Sequence, residues 1–176
     1  MESRFGHLPM KIGALAAAGA LGGCVLSATQ ALAEPVDPYY TITNANSGKC
    51  LAIDGASTAD GAVVVQQACY PSDDQRWYMH TSTGNTVRLI NVKSGKCLAI
   101  GAAIMTDGQQ AIQWSCLNGN EQRWIVGDVN GAKTLTADHS GKCLSIGASS
   151  VANGAAAIQF RCWGGADQGW YLNYHA

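Results

Sequence analysis

Hydrophobic residues in this chain occur in short segments rather than in long amphipathic ones. Beyond residue 33, no window repeats apolar residues at the 3.6-residue spacing of a helix over a helical length. Three four-residue segments instead combine apolar residues with glutamine, and each follows an Asp-Gly or Asn-Gly pair that favours a hairpin turn. The segments are Val64–Gln67, Ala111–Trp114 and Ala157–Phe160, after Asp60-Gly61, Asp107-Gly108 and Asn153-Gly154. Short strands separated by glycine-rich turns predict an all-β barrel or sandwich.

The first 33 residues have the pattern of an export signal. Arg4 and Lys11 supply a positive start, an apolar run of small residues covers 12–28, and Ala31-Leu32-Ala33 fits the cleavage pattern. We therefore expect a signal peptide over residues 1–33 and a single mature domain over 34–176. No other stretch reaches the roughly 18 to 20 apolar residues that a membrane span needs. The sequence thus predicts a secreted, extracellular protein without a membrane span.

Cys24 leaves a second interpretation open. The segment Leu21-Gly22-Gly23-Cys24 resembles a bacterial lipobox, in which cleavage before the cysteine would leave a lipoprotein anchored at Cys24. The apolar run continues past Cys24 into a well-formed cleavage site, which favours free secretion. In both cases the domain faces an oxidising exterior, where disulfides persist.

The rest of the chain contains three copies of one unit. Ser47–Leu51 recurs as Ser94–Leu98 and Ser140–Leu144, at distances of 47 and then 46 residues. Each first cysteine is followed 19 residues later by a second cysteine, and 8 residues beyond that by the tryptophan of a Q-x-W triplet. The triplets are Gln75-Arg76-Trp77, Gln122-Arg123-Trp124 and Gln168-Gly169-Trp170. The register predicts repeats over about 39–81, 85–128 and 131–174.

The six cysteines of residues 34–176 would allow 15 pairings in general. Only two arrangements treat all copies alike: pairs within each copy, or pairs to the neighbouring copy. We favour the internal pairs, each closing a loop of about 20 residues and contributing on the order of 3 kcal/mol. These are Cys50–Cys69, Cys97–Cys116 and Cys143–Cys162. A metal site is not expected, because a 19-residue gap lacks the short cysteine spacing of a zinc site.

Composition narrows the classes of function. Charged residues make up 13% of the chain and the formal net charge is −1, so the basic patch of a nucleic-acid binder is missing. Hydrophobic residues make up 47%, which excludes a disordered chain. We expect no nucleic-acid partner and no cofactor.

Three units with Gly-Lys-Cys-Leu, a second cysteine and Q-x-W resemble the ricin B-type lectin domain, a carbohydrate-binding module. The resemblance covers Tyr39 to Tyr174. It implies a β-trefoil of three four-stranded repeats with pseudo-threefold symmetry, a shallow carbohydrate pocket in each repeat, and a monomer. One such repeat cannot bury its apolar face alone. The residues expected in the common core are Trp77, Trp124 and Trp170.

The resemblance also implies a pocket of four parts. Sugar-binding members have an aspartate two residues after the first cysteine and an aromatic ring two residues before the second. They have an asparagine and a glutamine three and two residues before the Q-x-W tryptophan. In this chain the aspartate position holds Ala52, Ala99 and Ser145, whereas the asparagine position holds Asp74, Glu121 and Asp167. Our hypothesis is that the carboxylate has moved across the pocket. The alternative is that these acids pair with Arg76, Arg123 or backbone amides, and the pockets are inactive.

The aromatic position ranks the three repeats. Trp114 makes the second repeat the best candidate, Phe160 makes the third the next, and Gln67 gives the first no ring. Asn118 is a further candidate donor and Trp163 a candidate rim contact. The glutamines of the triplets are expected to brace the chain between repeats and to reach the pocket floor. The complete set of candidate carbohydrate-binding residues is Gln67, Asp74, Gln75, Trp114, Asn118, Glu121, Gln122, Phe160, Trp163, Asp167 and Gln168.

The sequence does not favour catalysis. Glycoside hydrolysis needs two carboxylates facing each other across a bond, and Asp73-Asp74 is the only adjacent acidic pair. We expect His80, His139 and His175 in loops or at the C-terminus. Two functions remain: a carbohydrate-binding lectin or module for neutral polysaccharide or glycan, or a protein-binding β-trefoil with inactive pockets. Asp60 and Asp107 are interpreted as turn residues.

Overall fold

The computed structural model describes residues 37–176, so the predicted signal peptide and Cys24 lie outside the described part. Twelve short strands alternate with single turns of 3-10 helix, and no α-helix occurs among the described residues. The strands of the first repeat are β1 (Tyr39–Asn44), β2 (Cys50–Ile53), β3 (Val64–Gln67) and β4 (Arg76–Thr81). Those of the second are β5 (Val87–Asn91), β6 (Cys97–Ile100), β7 (Ala111–Trp114) and β8 (Trp124–Val129). Those of the third are β9 (Ala132–Ala137), β10 (Cys143–Ile146), β11 (Ala157–Phe160) and β12 (Trp170–His175).

Six of the strands close an antiparallel barrel. The pairs run β1–β4, β4–β5, β5–β8, β8–β9, β9–β12 and β12–β1, so the last strand returns to the first. Closure removes the exposed edges of an open sheet. The remaining strands form three hairpins, β2–β3, β6–β7 and β10–β11. The all-β, threefold fold predicted from the repeats is confirmed.

The hairpin turns join each repeat to another one. The backbone N–H of Gly61 donates to the carbonyl of Gln113 at 2.9 Å, and the N–H of Gln113 donates back to Ala62 at 2.9 Å. The second hairpin turn pairs in the same way with β11, and the third pairs with β3. Gly61 has a φ of +81°, which explains why a glycine follows Asp60 in the turn. The three turns therefore close a ring in the order one, two, three, one.

Buried glutamines reinforce this ring. Gln113 is fully buried, and its Nε2 donates to the carbonyls of Ser57 and Ala59 at 2.9 Å each. Its Oε1 accepts from the hydroxyl of Ser94 at 2.7 Å. The equivalent Gln66 and Gln159 make the same three kinds of bond, so these glutamines brace the repeats against one another.

The core is built from equivalent residues of the three repeats. Trp77, Trp124 and Trp170 are each fully buried, and their indole N–H groups donate at 3.0 Å to carbonyls in the hairpin of the same repeat. The acceptors are Leu51, Leu98 and Leu144. Each indole thus fills the core while its one polar group stays satisfied. Three internal disulfides connect the cysteines in the predicted pairs, Cys50–Cys69, Cys97–Cys116 and Cys143–Cys162.

Ion pairs also cross between repeats. Asp60 lies 2.7 Å from Lys96 Nζ, and Asp107 lies 2.6 Å from Lys142 Nζ. The Lys96 hydrogen bond, partly opposed by desolvation, holds the pKa of Asp60 below its ordinary value of 3.8, and Lys142 acts in the same way on Asp107. The third hairpin carries Asn153, whose Oδ1 accepts from the N–H of Ala68 at 3.0 Å. Both aspartates are turn residues, and both also tie two repeats together.

These lowered pKa values predict a loss of stability in acid. Because the two carboxyls bind protons less readily in the folded than in the unfolded state, their stabilising contribution is complete above about pH 4 and declines as the pH falls through the folded-state pKa. The Asp107→Asn variant, which copies Asn153, should show a smaller decline in urea midpoint between about pH 6 and pH 2. Asp128→Asn is the control, since Asp128 is 82% exposed in its pair with Lys133. An equal decline in the wild type and both variants would contradict the prediction.

Candidate functional site

The second repeat contains an open depression of about 390 Å³ beside the end of β7. Its floor and rim are apolar, and are formed by Ala99, Ile100, Ala102, Ala103, Ile112 and Leu117. Trp114, the last residue of β7, remains 42% exposed and lines the depression, while Glu121 and Gln122 enter from the 3-10 turn before β8. The site therefore places an exposed ring beside an apolar floor and a carboxylate.

The rim of this depression is a tight turn. Ala102 and Ala103 have φ values of +52° and +51°, in the left-handed region that most side chains avoid. The first and third repeats have the same turn at Gly55-Ala56 and Ala148-Ser149. Non-glycine residues in this region cost of order 1–3 kcal/mol each, and they occur preferentially at binding sites.

Glu121 is half-buried and is not neutralised by the arginine that the sequence suggested as its partner. Arg123 Nε instead donates to Asp138 Oδ2 at 2.8 Å. The Glu121 carboxylate lies against Gly119, where a β-carbon would clash with both carboxylate oxygens. The glycine therefore leaves the space that the carboxylate occupies.

The third repeat has a related depression of about 310 Å³. Phe160 and Trp163 line it, together with Ser145 and Asp167. Asp167 is only 4% exposed, and its Oδ2 accepts a hydrogen bond from Ser145 Oγ at 2.5 Å. Trp163 is 60% exposed, and its ring covers Gly165. This site thus has two rings and a carboxylate that a hydroxyl holds in place.

The first repeat places its candidates differently. Asp74 is 2% exposed and accepts a hydrogen bond from the hydroxyl of Ser72, whereas Arg76 pairs with Asp73 at 2.8 Å. The pairing of the acids with Arg76 and Arg123 that we considered is thus absent for Asp74 and Glu121. Gln67 ends β3 opposite Cys50 and is half-buried. No ring stands at this position to receive a ligand.

The triplet glutamines act within their own repeat. Gln122 Oε1 accepts from the N–H of Leu117 at 2.7 Å, and its Nε2 donates to the carbonyl of Ser115 at 3.0 Å. Gln75 and Gln168 make the equivalent bonds, and all three side chains are buried. The expected bracing between repeats is wrong for these glutamines, since Gln66, Gln113 and Gln159 supply it. Gln122 still contributes to the depression, as part of its wall.

Other expected positions also differ from the structure. Asn118 is exposed, and its Oδ1 accepts from Arg88 at 3.0 Å, away from the lining of the depression. His80 lies in β4 and not in a loop, because this strand extends further than the sequence pattern indicated. His139 lies in a turn and His175 is the last residue of β12 near the C-terminus, where they were expected. Within residues 37–176, no group of three or more potential ligand side chains could hold a metal ion. The same residues include no helix long and apolar enough to cross a membrane.

Comparisons with known proteins agree with this architecture. The family model described as "Ricin-type beta-trefoil lectin domain-like" matches residues 31–114, 73–160 and 120–176. No curated protein shows significant sequence similarity to the chain.

Solved structures are similar over most of the chain. The designed threefold-symmetric protein ThreeFoil is 37% identical with a TM-score of 0.75, over 77% of this chain and 97% of the design. An exo-β-1,3-galactanase from Clostridium thermocellum is 31% identical with a TM-score of 0.76, over 79% of this chain but only 30% of the galactanase. The Rhizoctonia solani agglutinin has the same fold at 20% identity, with a TM-score of 0.70 over 81% of this chain and 97% of the agglutinin. With three overlapping family matches on a closed threefold barrel, the chain belongs to the ricin-type β-trefoil lectin domain-like family.

Proposed function

We propose that the protein is a secreted lectin or carbohydrate-binding module that binds neutral polysaccharide or glycan through the depressions of the second and third repeats. The observation that carries the proposal is the half-exposed Trp114 beside an apolar floor and the Glu121 carboxylate. A sugar ring has a relatively apolar face that packs on an aromatic ring. Its hydroxyl groups need hydrogen-bond partners when water is removed.

The carboxylates support an anionic acceptor that is supplied by the 3-10 turn before the last strand of the repeat instead of by the family position. Asp167 lies in the third depression with one oxygen held by Ser145, which occupies the position of the family aspartate. In the second repeat the corresponding position is Ala99, which lines the same depression as Glu121. Both repeats therefore keep one anionic acceptor although both have lost the usual aspartate.

Two shallow sites on one rigid body favour a polymer over a monosaccharide. Each depression alone is small, but a polysaccharide that engages both gains effective concentration for the second contact. The structurally similar galactanase is named for β-1,3-galactan, so that polymer belongs in a test panel with xylan, cellulose and chitin. A β-trefoil that binds protein instead of sugar would not be retained by any of these polysaccharides.

Trp114→Ala is expected to weaken binding of the best polysaccharide by about threefold to tenfold, because the change removes a stacking surface worth about 0.5–1.5 kcal/mol. Affinity electrophoresis or calorimetry on the soluble polymer gives the ratio of Kd values. Tyr171→Ala is the matched control, since Tyr171 is a 48% exposed ring outside this depression. Equal affinity of the wild type and the Trp114 variant would rule out the second repeat as the principal site.

Glu121→Gln tests the displaced carboxylate. The variant keeps the shape of the side chain but removes its charge, and a charged acceptor strengthens a hydrogen bond by roughly 1 kcal/mol over a neutral one. We therefore expect binding about fivefold weaker on a glycan array and in calorimetry. Asp128→Asn, a change at an exposed acid outside the depression, is the control. Unchanged binding of the Glu121 variant would show that the acid takes no part in recognition.

A further inference from the structure

A separate depression lies at the end of the barrel where β1 begins and β12 ends. Its volume is about 380 Å³, close to that of the second-repeat depression. The residues that define it, called here the tyrosine site, are Asp37, Tyr40, Tyr78, Met79, His80 and Tyr174. None of them belongs to the depressions of the second and third repeats.

Strand register fixes the rings of the tyrosine site. Tyr40 on β1 pairs directly with Tyr174 on β12, and their ring centroids lie 5.4 Å apart in an edge-to-face arrangement. Tyr78 and His80 follow each other on one face of β4, the other neighbour of β1, with ring centroids 6.3 Å apart. Tyr40 packs against the core, whereas Tyr174 is 57% exposed. The site thus has rigid walls and an accessible ring.

The fold does not require these rings. The three repeats share the buried tryptophans and the leucines or isoleucines around them, as a threefold core demands. At the positions that correspond to Tyr40, Tyr78 and His80, the second repeat carries Val87, Ile125 and Gly127. Because the second repeat forms the same four strands without aromatic rings there, packing alone does not account for the ring cluster.

We propose that the tyrosine site is a fourth saccharide-binding site, which takes one neutral sugar unit outside the threefold set of pockets. Tyrosine combines an apolar face for stacking with a hydroxyl that donates and accepts hydrogen bonds. The Asp37 carboxylate and the His80 imidazole add polar groups to the wall. The proposal rests on the proposed carbohydrate-binding function but uses different residues, so the two can be tested apart.

The chain contains its own reporters for this test. Met79 lies in the wall of the tyrosine site and lines neither of the other two depressions, so its methyl signal in protein with ¹³C-labelled methionine distinguishes this site from them. The indole N–H signals of Trp114 and Trp163 report on the second and third repeats. We would titrate the purified protein with xylohexaose, cellohexaose and a β-1,3-galactan oligosaccharide and follow all three signals by NMR.

A saturable shift of the Met79 methyl is expected, and Tyr174→Ala should weaken it by about threefold to tenfold while the indole shifts persist. Tyr171→Ala, on the same strand but outside the site, should leave the Met79 titration unchanged. A sugar that shifts the indole signals but not Met79 would overturn the tyrosine site and leave the proposed function standing. If no sugar shifts any reporter, carbohydrate binding itself fails. A Met79 signal that changes with protein concentration alone would identify a self-association surface instead.

Discussion

Replacing Trp124 with alanine is expected to lower the free energy of unfolding by about 3–5 kcal/mol, the usual cost of removing a large buried ring. Trp124 is fully buried at the centre of the second repeat, and its indole donates to the carbonyl of Leu98 at 3.0 Å. Urea or guanidinium unfolding followed by circular dichroism measures the loss. A decrease of this size is a large share of the stability of a small domain.

Two further variants separate the contributions of Trp124. Trp124→Phe keeps most of the ring but leaves the carbonyl of Leu98 without its donor, so an unsatisfied buried acceptor should cost about 1–3 kcal/mol. Trp163→Ala is the surface comparison, since Trp163 is 60% exposed, and its effect should stay within about 0.5 kcal/mol. Similar losses for Trp124→Ala and Trp163→Ala would contradict the division between core and surface tryptophans.

Loss of the second disulfide is the other large expected effect. Cys97→Ala combined with Cys116→Ala opens a loop of about 20 residues and should lower the free energy of unfolding by about 2–5 kcal/mol. Cys116 also begins the segment that carries Leu117 and leads to Glu121 in the depression. We therefore expect weaker polysaccharide binding as well, measured below the midpoint of thermal unfolding so that the folded protein is compared.

The equivalent change in the first repeat is the matched control for the binding effect. Cys50→Ala with Cys69→Ala should destabilise the protein by a similar amount, because the closed loop has the same length. It should leave binding at the second repeat nearly intact. Equal losses of binding in the two double variants would mean that the disulfide acts only on global stability.

The threefold fold was predictable because its determinants repeat along the chain. Cysteine, glycine and tryptophan recur at fixed offsets, and the internal disulfides and the indole hydrogen bonds join residues of one repeat. The position of Trp114 at the end of β7 also follows from local spacing to Cys116. Such features depend on short-range geometry, which sequence patterns express well.

The bonds between repeats could not be predicted in the same way. Gln113 occurs in a strand pattern, and nothing near it in sequence shows that Ser57 and Ala59 will supply its acceptors. Those carbonyls come close to Gln113 only when the hairpins of the first and second repeats pack together. The one available signal was that a glutamine recurs three residues before each second cysteine, at Gln66, Gln113 and Gln159.

The residue types of the candidate sites could be predicted from the sequence, but the contacts of their carboxylates could not. The sequence placed acids at three equivalent positions, yet each has a different environment in the structure. Asp74 bonds to Ser72, Asp167 bonds to Ser145, and Glu121 lies over Gly119. Single residue differences nearby determine these contacts. A serine supplies a hydroxyl donor to the carboxylate, whereas a glycine leaves space for it.

The pairing of β1 with β12 has a consequence for how the chain folds. All six residues of β1, from Tyr39 to Asn44, pair with residues of β12, which come more than 120 positions later. The barrel therefore cannot close before β12 has been synthesised, because β12 is the partner of the first strand. Contacts of such long sequence separation slow folding. The three repeats should consequently fold as one cooperative unit once β12 is present, rather than repeat by repeat.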